Sequence, residues 1–69
     1  MREYYKELID TLRSIEKQLE LAENKLNYAT DDLLIDSIIF EMESLYRRHA
    51  YYLRLCRELN VTAGEGYAV

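Results

Sequence analysis

Tyr28-Ala29-Thr30-Asp31-Asp32 separates two runs of apolar residues that share one spacing but not one phase. Before it, Tyr5, Leu8, Leu12, Ile15, Leu19, Ala22, Leu26 and Ala29 recur at alternating steps of three and four. After it, Ile35, Ile38, Met42, Leu45, His49, Tyr52, Cys56 and Leu59 repeat those steps. Such alternation marks the a and d stations of a coiled-coil helix, which line a single stripe. The step from Ala29 to Ile35 is six, so an unbroken helix through Thr30 would carry the second stripe off the first. A break removes the conflict. Thr30 or Asp31 can cap a new helix, and Asp31, Asp32 and Asp36 fall where the positive end of its dipole favours acids. Arg54 and Arg57 stand near its other end, where cations belong.

Outward from this segment, nothing interrupts either run. Proline is absent, and both glycines, Gly64 and Gly66, lie in the last six residues. The pattern predicts one helix over about 2–28 and a second over about 32–60, each about 40 Å long at 1.5 Å per residue. So short a connection forces the two to run antiparallel. The expected fold is all-α, a two-helix hairpin of coiled-coil type over residues 1–60. A short, small-residue-rich tail over 61–69 is expected to fray.

At 69 residues the chain is one small domain. A domain of this size buries only about 60% of its unfolded surface, so disulfides, a metal or self-association usually assist it. Cys56 is the only cysteine, so no bridge can form within the chain, which points to a reducing compartment. The first residues are charged and show no apolar leader, and the longest apolar runs are broken by Asp36 and Glu41. No secretory signal and no membrane span are expected, and the location expected is the cytoplasm. The net charge is −4, with five Lys/Arg against eight Asp/Glu in residues 1–34 and four against five in 35–69. No broad basic field exists to draw in nucleic acid or an anionic membrane.

Residues able to do chemistry are few. His49, the single histidine, stands at an a station facing the partner helix, with Leu45 and Tyr52 a turn away on either side. It is expected to be a core ring bonded to a neighbour, the alternative being an element that sets register or senses pH. Helical-bundle metal sites use Glu-x-x-His pairs, but the residue three before His49 is Tyr46. Cys56 shares the stripe of His49 two turns on, about 10 Å away, so the two cannot form a nucleophile and its base within one helix. Cys56 reads as a small core hydrophobe. No phosphate-binding loop and no Ser-His-Asp arrangement occurs. Neither catalysis nor a metal or other cofactor is expected.

The second half carries a resemblance. Asp31-Asp32-Leu33-Leu34-Ile35-Asp36-Ser37-Ile38-Ile39-Phe40-Glu41-Met42, followed by Arg48-His49-Ala50-Tyr51-Tyr52-Leu53-Arg54, resembles the YaaL-like family of small proteins from Gram-positive bacteria, a domain of unknown function. The likeness covers about 30 residues, with Asn27-Tyr28 similar to the family's entry into the segment. Asp32 stands where the family often has Pro, and Ser44-Leu45-Tyr46 where it tends to have Ala-Ala-Glu, so no role of that Glu carries over. The resemblance implies a cytoplasmic two-helix protein and no activity. Because members tend to be encoded near recombination and replication genes, it also keeps nucleic acid in view.

Two surface features of the second helix remain. Arg47, Arg48, Arg54 and Arg57 are interleaved with Tyr46, Tyr51 and Tyr52, and no acid stands among them. Helical spacing places Arg47, Tyr51 and Arg54 on one outward face with Arg48 beside them, a combination suited to single-stranded nucleic acid or an acidic partner. In the hairpin these cations also come beside Glu3, Glu7 and Asp10 of the first helix, and pairing with those acids is the expected arrangement. The other feature is surplus apolar surface. Ile39, Tyr46 and Leu53 recur at the e station, Leu34 and Leu55 at g, with Ile9 and Leu21 added by the first helix. A lone hairpin cannot cover all of these. The expectation is a non-enzymatic interaction or regulatory protein that pairs into a four-helix-bundle homodimer through Leu34, Ile39, Tyr46, Leu53 and Leu55, or presents them to another protein. The rival is a nucleic-acid accessory protein acting through Arg47, Arg48, Tyr51 and Arg54. No membrane partner is expected.

Overall fold

The computed structural model describes residues 2–60. It consists of helix α1, Arg2–Tyr28, and helix α2, Asp32–Glu58, packed against each other. Each has 27 residues, and together they make a rod of 45 × 18 × 17 Å. Residues 61–69, expected as a frayed tail, lie outside the described residues.

The break falls at Ala29–Asp31, and the cap is Asp31 rather than Thr30. Its backbone is extended (φ −86°, ψ 130°), and its carboxylate accepts the Leu34 amide at 3.1 Å. Its own carbonyl accepts the Ile35 amide at 2.9 Å, the first bond of α2. One residue thus satisfies a donor that the start of a helix leaves without a partner and fixes the direction in which α2 leaves the turn. At the far end α2 stops two residues short of the expected position 60. Asn60 takes the left-handed conformation (φ 55°) and its amide bonds back to the Arg57 carbonyl at 3.1 Å. Asparagine is among the few residues that accept this conformation, and it commonly closes helices.

All sixteen seam residues are buried or half-buried. Leu8, Leu12 and Cys56 form one core cluster, and Ile15, Leu19 and Leu45 form another; Tyr52 packs against both. Ala22 and Ile38 continue the buried stripe toward the turn. Since Ile15 and Leu19 meet Leu45, Gln18 of α1 stands level with the middle of α2.

Candidate functional site

Helical phase divides the outside of α2 into two flanks on either side of the seam. Ile39, Tyr46 and Leu53 run along one, and Leu34, Glu41, Arg48 and Leu55 along the other, roughly 140° away at 3.6 residues per turn. The five residues expected at an interface are therefore split between opposite flanks. They also differ in exposure. Leu34, Ile39 and Tyr46 are exposed, whereas Leu53 and Leu55 are half-buried and pack on the Leu8–Leu12–Cys56 cluster. The open end of the hairpin, where Tyr5, Ile9 and Leu59 also gather, already covers much of their surface.

Among the described residues the barest large apolar side chains lie elsewhere. Tyr28 is 86% exposed, Leu33 81% and Phe40 69%. Leu33 and Phe40 occupy the outermost line of α2, and Tyr28 ends α1 at the turn. Two hydrophobic residues on the line farthest from the seam were the available signal. Counting only stations beside the seam passes over them.

Two grooves of the hairpin follow the flank of Leu34 and Arg48. Near the turn, a groove of about 510 Å³ is walled by Leu21, Tyr28, Ala29, Leu34 and Ile38, with Asn24 and Lys25 also lining it. Toward the open end, one of about 500 Å³ is lined by Glu7, Asp10, Thr11, Ser14, Gln18 and Arg48, with Ile15 and Tyr52 at its base. Tyr4, Leu21, Tyr28, Leu34 and Tyr51 are exposed on this side, against Ile39 and Tyr46 on the other.

The arginines stand as placed by spacing: Arg47, Arg48 and Arg54 are exposed. Tyr51 is exposed too, its ring braced by an edge contact with Tyr52 at 5.0 Å and 79°. The expected pairing with α1 acids does not occur. Among the described residues no ion pair joins Arg47, Arg48, Arg54 or Arg57 to Glu3, Glu7 or Asp10. Asp10 is bridged within its own helix by Lys6 at 3.8 Å. Arg47 and Arg54 sit on the outermost line of α2, directed away from α1 by phase. Arg48 shares the polar groove with Glu7 and Asp10 without pairing with either.

His49 is half-buried in the seam, and its Nε2 lies 3.0 Å from Glu16 Oε2 on α1. A carboxylate only accepts, so the ring nitrogen carries the hydrogen and donates. Cys56 is buried beside Leu8 and Leu12, and loss of solvent pushes its thiol above the ordinary value. A raised thiol is a poor nucleophile at neutral pH. Among the described residues no three of His, Cys, Asp and Glu gather as metal ligands, and no helix is long and apolar enough to cross a membrane.

The fold and its surface define a class: a helical hairpin whose second helix carries uncovered apolar and cationic side chains. No known family, curated protein or solved structure matches the chain.

Proposed function

We propose that this chain is a non-enzymatic interaction module of the cytoplasm, working as a homodimer through α2. One observation carries the reading. Six of the nine exposed large hydrophobic side chains among the described residues, Leu33, Leu34, Ile39, Phe40, Tyr46 and Tyr51, belong to α2. Single exposed apolar residues are ordinary, but six on one helix of a small hairpin, on both of its flanks and along its outermost line, leave more apolar surface bare than one hairpin covers. Sedimentation or light scattering across a concentration series tests it. A mass of twice 8.3 kDa is expected, and 8.3 kDa throughout would defeat the dimer.

A second reading has its own support. Arg47, Arg48 and Arg54 form no ion pair among the described residues, and Tyr51 offers a ring beside them. Arginine with a stackable ring suits single-stranded nucleic acid. With a net charge of −4 such binding is weak and strongly dependent on salt. Arg47, Arg48 and Arg54 all changed to Ala would abolish a gel shift seen with single strands at low salt. No shift with the wild-type chain would end this reading.

A further inference from the structure

We infer that the second copy packs on the flank of α2 that bears Leu34, Glu41, Arg48 and Leu55, with the two α2 helices antiparallel about a two-fold axis beside Ser44. This rests on the homodimer reading and adds its surface and register. The four residues stand seven apart and read apolar, acidic, basic, apolar. Turned about its centre, the series is its own complement: Glu41 faces Arg48 of the other copy, and Leu34 faces Leu55. A two-fold interface demands such self-complementarity, because each residue meets the copy of its counterpart. The next line of α2 keeps the same register. Ser44 meets its own copy at the axis, where a small side chain permits close approach, and Ser37 faces Tyr51. Among the described residues neither Glu41 nor Arg48 forms an ion pair, which leaves both to pair across the axis.

Helix α1 agrees. On this flank it presents Thr11, Gln18 and Lys25, with no acid on that line, and Gln18 stands level with the axis. Paired Gln18 side chains can exchange hydrogen bonds, since an amide both donates and accepts. The opposite flank is less suited. An axis at Tyr46 would pair Ile39 with Leu53, but α1 presents Glu16 and Glu23 there and brings Glu16 near its own copy. The two grooves and five of the exposed apolar side chains also favour the Arg48 flank. This flank lies about a quarter-turn from the seam, the angle at which a second hairpin completes a four-helix bundle.

Charge reversal tests the register. Glu41→Arg and Arg48→Glu each place like charges across the axis and are expected to raise the dimer dissociation constant about tenfold or more. The doubly reversed chain, Glu41→Arg with Arg48→Glu, restores opposite charges and should return the constant close to wild type. Both side chains are exposed, and helicity by circular dichroism should hold in all three variants. Leu34→Glu should also split the dimer. A wild-type dimer indifferent to these changes but split by Ile39→Glu or Tyr46→Glu would overturn the inference and leave the homodimer standing on the other flank. A double reversal that fails to restore the dimer also overturns it. A wild-type chain of 8.3 kDa at every concentration removes the homodimer itself.

Discussion

His49 of α2 and Glu16 of α1 are joined Nε2 to Oε2 at 3.0 Å, so the one imidazole of the chain ties the two helices together at mid-length. The bond is only partly shielded, with the His49 side chain 25% exposed and that of Glu16 46%. Exposed pairs of this kind are worth about 0–1 kcal/mol. Glu16→Ala is therefore expected to lower the melting temperature by no more than several degrees, about 4–8 °C per kcal/mol in a domain this size. His49→Leu fills the same seam station without a polar atom and should melt at or above the wild-type temperature, because polar a stations cost stability. A large loss in the leucine variant would show that the bond anchors the fold.

Leu12 and Leu45 are among the most completely buried side chains, and each belongs to a different core cluster. Leu12→Ala or Leu45→Ala should cost about 2–5 kcal/mol. Leu12→Asp or Leu45→Asp, which buries an unpaired charge, should leave the chain unfolded. Far-ultraviolet dichroism reads both outcomes, and wild-type helicity in either aspartate variant would contradict the placement of the seam.

The Asp31 cap predicts a graded series. Asp31→Ala removes the acceptor of the Leu34 amide and should cost about 1 kcal/mol, whereas Asp31→Asn keeps an acceptor oxygen and should cost less. Thr30→Ala should be silent. Urea denaturation of the three variants distinguishes Asp31 from Thr30 as the capping residue.

Cys56 predicts a loss of stability in alkali. Burial raises the thiol pKa in the folded chain, so on raising pH the unfolded chain loses its proton first. Through that range the unfolded state binds fewer protons, and stability falls with pH by up to about 1.4 kcal/mol per unit. The contribution is intact below the ordinary thiol range, falls above it, and levels off past the folded pKa. Cys56→Ala should flatten the part of the slope that the thiol supplies, seen by comparing urea midpoints of the two proteins between pH 7 and pH 9.5. Identical slopes would mean that the folded thiol is not shielded.

The hairpin itself was legible because seam, phase slip and cap are local signals that agree. Step counts place every seam residue, and Asp31, Asp32 and Asp36 mark the start of α2. The end of α2 was less legible. Nothing in Glu58-Leu59-Asn60 announces that Asn60 adopts a left-handed backbone, and the apolar spacing continues through Leu59. The surface was legible in part. Spacing places Leu34, Ile39 and Tyr46 outside the seam, but it does not show that Leu53 and Leu55 sink onto the Leu8 cluster. That depends on how closely the open ends of the helices approach. Nor does spacing decide whether Arg48 meets Glu7, since side-chain reach across a groove is set in three dimensions.

The three-residue turn at Ala29–Asp31 also bears on how the chain finds this structure. Closing a short loop takes on the order of 10–100 ns, and each later layer of the seam closes a loop that the preceding layers have already shortened. Assembly within one chain should therefore zip from the turn toward the termini, a local route of the kind that lets helical proteins fold in microseconds to milliseconds. The contact of Leu8 with Cys56, between opposite ends of the chain, would then form last and open first. Amide exchange should record this as a gradient, slowest near Leu19 and Ile38 and fastest among residues beside Tyr5 and Leu59.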